Sequence, residues 1–212
     1  MHGLRRLAEV IHGTLLGVWL GAVLMTGIAA AIIFPTVKEL SPTVSTLAAY
    51  DGEHWRIVAG RVANTVFLYS DTVQFVCATG GLASLIAVLI ASGSGWRRIT
   101  LGLRTVGFAV ALSLFSYSFF ILRTKMNGEL IAYWSSAEAG ENAIAAAHRQ
   151  AFAEMHPTAS TLIGATAFAV LFTLVTGLFD ATRRSIPGSE PTTPQPVRGG
   201  YEEPALGRGR PR

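Results

Sequence analysis

Cysteine and charge are both scarce in this sequence of 212 residues. The single cysteine, Cys77, has no second cysteine to pair with, which excludes a disulfide scaffold. Charged residues make up 14 % of the chain, whereas an ordinary soluble domain carries roughly a quarter. Half of the residues are apolar, and the mean hydropathy is +0.44. This composition excludes a soluble basic protein and a disordered chain, and it indicates a membrane protein.

Motifs of catalysis and nucleotide binding are also missing. The sequence has no serine elbow, phosphate-binding loop or dinucleotide fingerprint. His54, His148 and His156, with carboxylates nearby in sequence, are suitable ligand types for a metal or haem. They do not form a motif such as His-Glu-x-x-His or Cys-x-x-Cys. We therefore expect no enzyme activity, no metal site and no cofactor, and we keep a haem- or metal-binding redox protein as an alternative.

Four apolar segments approach or exceed the roughly 20 residues that a helix needs to cross a bilayer. They cover residues 13–34, 62–91, 105–122 and 157–179. In lipid, continuous apolar runs of this length can satisfy the hydrogen bonds of their backbone N–H and C=O groups only as helices. We predict an all-α fold, a four-helix transmembrane bundle within residues 1–184. The first span follows Arg5 and Arg6 and ends near a small-residue run, so cleavage as a signal peptide is the competing reading. Its length favours a retained helix.

The distribution of arginine and lysine predicts the orientation of the spans. Most of the 17 basic residues fall on the side that holds both termini, and the short loop 92–104 carries three arginines and no acidic residue. Positive loops lie in the cytoplasm, so we expect both termini there and a plasma or inner membrane location. The apolar spans make the lipid bilayer the expected partner. Because the orientation of the spans already explains the excess of basic residues, we expect no binding to nucleic acid.

The segments outside the spans differ in character. Residues 123–156 mix charges with apolar residues at helical spacing, so we expect spans three and four to extend outward and join in a hairpin. An amphipathic stretch lying flat on the membrane is the alternative. Ser41-Pro42 predicts a short helix to Tyr50, and Asp51 is a candidate cap for the next helix. Residues 185–212 are rich in proline and glycine, which predicts a disordered tail.

The second span carries the polar residues with most functional interest. Asn64, Asp71 and Gln74 are separated by seven and three residues, which places them on one helical face. A carboxylate in lipid costs about 2.5–3.5 kcal/mol on an insertion scale, so it needs a partner or protonation. Arg123, at the end of span three, and His156, at the start of span four, are the candidate partners. We predict a polar intramembrane cluster of these five residues, which acts as a structural clasp or as a proton, ion or substrate site.

The first span contains a stripe of small residues. Gly13, Gly17 and Gly21 recur every four residues, a pattern that lets another helix approach closely. We expect this stripe to pack mainly within the chain, and a homo-oligomer is possible. Trp19 lies too deep for an interfacial anchor and should fill a gap in the bundle. Pro35 should end the first span, because it lacks the N–H that a helix interior needs.

Several motifs in order resemble one known family. These are Gly17–Gly21 around Trp19, Ile33-Phe34-Pro35, Ala59–Phe67, Arg123–Met126, and Phe152 with His156. Their order over residues 13–179 is similar to the transmembrane protein 205-like family, a small four-span membrane domain. Ala159 stands where that family often has a hydroxyl residue. The resemblance implies a fold and a membrane location but no reaction, so it assigns no catalytic residue.

Three functions follow from these patterns. The first is a non-enzymatic multi-pass membrane protein whose polar cluster is structural or forms an assembly interface. The second is a small oligomeric transporter or permeation unit, motivated by ionisable groups within the membrane. The third is the haem- or metal-binding redox protein.

Overall fold

The described residues of the chain form four long helices. The computed structural model describes residues 2–92 and 98–183, with side chains for residues 3–92 and 99–179. The long helices are α1 (His2–Leu40), α2 (His54–Ala91), a third continuous helix and α5 (Asn142–Arg183); the third comprises α3 (Arg98–Tyr117), a π-helical segment (Ser118–Leu122) and α4 (Arg123–Glu138). All four are long and apolar enough to cross a membrane. The predicted all-α four-helix bundle is confirmed, and the predicted tail 185–212 lies outside the described residues.

Two antiparallel helix pairs make up the bundle. The first pair is α1 with α2, and the second is the α3–α4 helix with α5, while α1 also contacts α5. Asn142 joins the two connecting loops: its Nδ2 donates to the carbonyl oxygen of Ala49 at 3.1 Å and to Oδ2 of Asp51 at 2.9 Å. Both loops therefore lie at one end of the bundle, which we call the hairpin end. The opposite end is the terminal end.

The second helix pair continues well past its predicted spans. α4 adds 16 residues after position 122, which is about 24 Å of helix. Gly140, with φ +74°, makes the turn into α5. A Cβ at Gly140 would lie 2.9 Å from the Cβ of Ala49, so only glycine fits between the two loops. The expected outward hairpin is therefore present, rather than a stretch lying flat.

Three local predictions near the first loop are wrong. α1 runs through Pro35 to Leu40, because the loss of one N–H leaves the flanking helical hydrogen bonds intact. The helix ends instead at Leu40, because the next residue, Ser41, has a φ of 42°, outside the right-handed helical region. The short helix predicted up to Tyr50 is a single 3-10 turn at Ser45–Leu47. Asp51 does not cap α2, because its carboxylate is held by Asn142 and Glu53 occupies the N-cap position.

Two separate clusters of buried side chains hold the helices together. The larger one, which we call the membrane core because all its members lie within the predicted spans, surrounds Trp19 toward the terminal end. Trp19 is fully buried and meets Phe108 and Phe115 edge to face at 5.9 and 5.7 Å. The smaller one, the hairpin-end core, lies beyond the predicted spans. Its members are Leu47, Tyr50, Ile57, Tyr133, Ala137 and Ala145.

Candidate intramembrane polar site

Arg123 connects the two helix pairs through charged and polar contacts with α2. Its Nε lies 3.2 Å from Oδ2 of Asp71. Its terminal nitrogen donates to Oδ1 of Asn64 at 3.0 Å, and the carbonyl oxygen of Asn64 is 3.4 Å away. The guanidinium carbon also lies 5.9 Å from the ring centre of Phe67, within range of a cation–π contact. One arginine thus contacts two turns of α2, and we call Asn64, Asp71 and Arg123 the clasp.

Local helix structure places each member of the clasp. Asn64 and Asp71 are seven residues apart on α2, so they lie on one face about 10.5 Å apart along the axis. Arg123 is the first residue of α4, directly after the π segment Ser118–Leu122. A π turn holds more residues than an α turn, so it shifts the face that the following residues present. The long arginine side chain then lies along α2 and contacts both polar residues.

The clasp is only partly shielded. The side chains of Arg123 and Asp71 keep 28 % and 19 % of their surface. An ion pair in this setting attracts more strongly than one in water, since less solvent screens it, but it gains less than a fully enclosed pair. Removing one partner leaves the other charge in an apolar surrounding. The arrangement therefore neutralises an acid and a base within the helices and joins α2 to α4.

The other two residues of the predicted cluster lie elsewhere. Gln74 is buried, and its Nε2 is 3.4 Å from Oγ of Ser70. Ser70 in turn donates to the carbonyl oxygen of Ala22 at 3.0 Å and lies 2.7 Å from the hydroxyl of Thr26. Gln74 thus belongs to a polar chain between α1 and α2. His156 is exposed, and its ring packs 6.0 Å from Phe152, so its predicted place in the cluster is wrong.

The glycine stripe of α1 faces away from the rest of the chain. Apart from the adjacent residues and the nearby backbone of α1 itself, no described atom lies within 4 Å of a Cβ added at Gly13, Gly17 or Gly21. The expectation that this stripe packs within the chain is wrong. The reason is that α1 packs into the membrane core through a different face. That face carries Leu16, Trp19 and Val23.

A second polar group, near the terminal end, is absent from the sequence prediction. His12 is fully buried, and its Nδ1 lies 2.9 Å from the carbonyl oxygen of Gly81 and 3.1 Å from the hydroxyl of Ser84. Arg104 of α3 is also buried, with 4 % of its surface exposed. A signal for His12 existed: it precedes Leu16 by four residues and Trp19 by seven, so it shares their helical face. Arg104 was interpreted only as a topology charge.

The histidines of the hairpin end take separate structural roles. His54 Nδ1 accepts a hydrogen bond from the backbone N–H of Val44 at 3.2 Å, and His148 Nδ1 lies 2.8 Å from Oε2 of Glu129. Across the described residues, no three histidine, cysteine or acidic side chains converge on a point where a metal would sit.

At the start of α2, Glu53 accepts a hydrogen bond from Arg56, and this bond lowers the pKa of the Glu53 carboxyl.

Comparisons with known proteins add no relative. No family model matches the sequence, no curated protein matches it, and no solved structure matches the fold. The class of protein therefore rests on the structure alone. Four long apolar helices in two antiparallel pairs are compatible with a multi-pass membrane protein.

Proposed function

We propose that this chain is a non-enzymatic multi-pass membrane protein of the transmembrane protein 205-like type, in which the clasp is a structural element. The observation that carries the proposal is the contact of Arg123 with both Asp71 and Asn64 across two helices. A polar contact between helices restricts how they can slide or rotate, because any other register leaves the charges unpaired in lipid. In this proposal the chain is retained as one piece and both termini face the cytoplasm.

A double-mutant cycle on the purified full-length protein tests the clasp. We expect Asp71→Asn and Arg123→Gln each to lower the free energy of unfolding by about 1–2 kcal/mol, below the range for enclosed pairs because both groups are partly exposed. The free energy of unfolding should fall clearly less in the double variant than the sum of the two single losses, because the double variant leaves no unpaired charge. Thermal unfolding in one detergent provides the measurement.

The exposed ion pair between Arg61 and Glu138 provides the matched control. It also joins α2 to α4, but its side chains keep 47 % and 42 % of their surface. The cycle with Arg61→Gln and Glu138→Gln should give coupling of about 0.5 kcal/mol or less. If the Asp71 and Arg123 effects are additive, or equal those of this control, the clasp has no structural role.

The open glycine stripe supports self-assembly as part of this function. Gly17 is the middle glycine of the stripe, and a Cβ added there would meet no described atom of another helix within 4 Å. A stripe of small residues allows two helices to approach closely in lipid. We expect a homo-oligomer in bilayer nanodiscs that Gly17→Leu converts to monomer. Gly27→Leu, also at an open position of α1 but off the stripe, is the control. A wild-type monomer in nanodiscs would contradict the assembly.

The residual exposure of the clasp favours one second candidate, a permeation unit shared between protomers. Asp71 and Arg123 are ionisable groups inside the apolar region that keep part of their surface exposed, and ionisable groups within membrane helices often mark ion or substrate pathways. This candidate predicts ion or proton flux in reconstituted vesicles that Asp71→Asn abolishes. The absence of flux under every imposed gradient would leave only the structural role.

A further inference from the structure

A groove opens between the second pair of helices near the boundary of the predicted spans. Its volume is about 540 Å³, and it is open along the surface of the bundle rather than enclosed. It lies where both walls depart from regular α-helix: the π segment Ser118–Leu122 contributes to one wall, and Pro157 interrupts the hydrogen-bond ladder of the other. Side chains on both helices face this space, including Tyr117, Ile121 and Met155 together with Lys125, Glu129 and Glu154.

The groove changes from apolar to charged along its length. On the α3–α4 wall, Tyr117 and Ile121 precede Lys125 and Glu129, over about 18 Å of helix toward the hairpin end. On the α5 wall the charged residue, Glu154, is also on the hairpin-end side of the predicted span. The groove thus crosses from the apolar region of the helices to the region outside it. An occupant that matches this gradient is an amphiphile with its polar group toward the hairpin end.

The polar end of the groove carries both positively and negatively charged side chains. Lys125 is exposed, and its side chain takes part in no hydrogen bond or ion pair within the described part of the chain. Glu129 is paired with His148, whereas Glu154 is exposed and accepts one hydrogen bond from Gln150 at 3.1 Å. A simple anion would meet the two carboxylates, and a simple cation would meet Lys125. A zwitterion satisfies both signs, with its anionic group at Lys125 and its cationic group at Glu154.

The kind of cation follows from what surrounds Glu154. A quaternary ammonium has no N–H and is usually held by aromatic faces. The aromatic residue that lines this groove, Tyr117, is at the opposite end. A primary ammonium donates hydrogen bonds that carboxylates accept, which fits the residues present.

We propose that the groove binds the phosphoethanolamine headgroup of a membrane lipid. Lys125 contacts the phosphate, Glu154 accepts from the ammonium, and an acyl chain lies along Ile121 and Met155. This inference goes beyond the structural role proposed above and does not depend on the clasp. It requires only that the apolar helices lie in a bilayer.

Native mass spectrometry of the full-length protein in detergent tests the proposal. The probes are phosphatidylethanolamine, phosphatidylcholine and phosphatidylglycerol with identical acyl chains, and water-soluble glycerophosphoethanolamine. We expect phosphatidylethanolamine to bind about tenfold more tightly than the other two lipids, as one charge-assisted hydrogen bond allows. The soluble headgroup should bind far more weakly than the lipid, because it lacks the acyl chain.

Variants then assign the two charges. Lys125→Ala should weaken phosphatidylethanolamine binding about tenfold, and Glu154→Gln should remove the preference over phosphatidylcholine. Lys38 is the other lysine of the chain, and Glu39 is an exposed carboxylate beside it. Lys38→Ala and Glu39→Gln should therefore change nothing. Melting temperatures of all variants without lipid confirm that each one folds.

Several outcomes would overturn the proposal. Equal binding of the three lipids excludes headgroup recognition, and preferred phosphatidylglycerol indicates a simple anion site. Equal affinity for glycerophosphoethanolamine and the lipid excludes an acyl chain in the groove. Equal effects of Lys125→Ala and Lys38→Ala place the binding elsewhere. The ranking of lipids by the wild-type protein remains decisive even if a variant does not fold.

Discussion

The membrane core and the hairpin-end core are held together by different interactions. In the membrane core, large rings interlock: Trp19, Phe108 and Phe115 meet edge to face. The hairpin-end core also pairs two rings edge to face, Tyr50 and Tyr133 at 6.2 Å, but there the ring hydroxyls are joined by a hydrogen bond of 2.9 Å. Lipid is as apolar as a core, so within it helices associate through close packing rather than the hydrophobic effect. In the proposed membrane location the hairpin-end core lies outside the bilayer, where water adds the hydrophobic effect to close packing.

The largest expected difference between the two cores comes from Trp19→Ala. Trp19 is fully buried, so its removal leaves a cavity among the rings of the membrane core. We expect a loss of about 3 kcal/mol in the free energy of unfolding. This is the low end of the range for buried aromatic residues, because lipid or detergent surrounds apolar side chains in the unfolded state as well. Thermal unfolding in detergent measures it. Trp55, which is partly exposed, is the matched control, and an equal loss for Trp55→Ala would contradict a core held by ring packing.

A close approach within the membrane core gives the second largest effect. A Cβ at Gly81 would lie 2.9 Å from a ring carbon of Phe108. Gly81→Leu should therefore cost about 2 kcal/mol through overpacking, measured by the same unfolding assay. Gly17→Leu adds the same side chain where no described atom of another helix lies within 4 Å, so in a detergent that keeps both proteins monomeric it should melt as the wild type does. Similar melting of the two variants would show that the two glycines are in equivalent surroundings.

The smallest effect should come from the hairpin-end core. Tyr133→Phe removes the hydroxyl that meets Tyr50 and leaves one hydroxyl without its partner. We expect a loss of about 1 kcal/mol, measured by thermal unfolding and by faster hydrogen exchange of residues 41–53. Tyr69→Phe changes a residue that is 71 % exposed and serves as the control. A loss as large as that of Trp19→Ala would remove the distinction between the two cores.

The parts predicted correctly depend on signals that are local in sequence. The four helices follow from apolar runs, and the hairpin between α4 and α5 follows from helical spacing on both sides of Gly140. The contact between Asp71 and Arg123 was also expected, because an acid in lipid needs a base and few were within reach. The errors concern which neighbour a side chain meets. His156 and Gln74 are spaced suitably along the chain, yet helix rotation points them elsewhere.

The amino-acid sequence by itself determined that this chain forms long apolar helices, because backbone groups in lipid can be satisfied only within each helix. It also determined that Asp71 requires a partner. Only the tertiary structure decided which faces meet: it buried His12 beside Gly81, left Gly17 open, and passed α1 through Pro35. Helix rotation and register depend on packing between distant segments, and the energy differences between alternative faces in lipid are too small for one helix to specify alone.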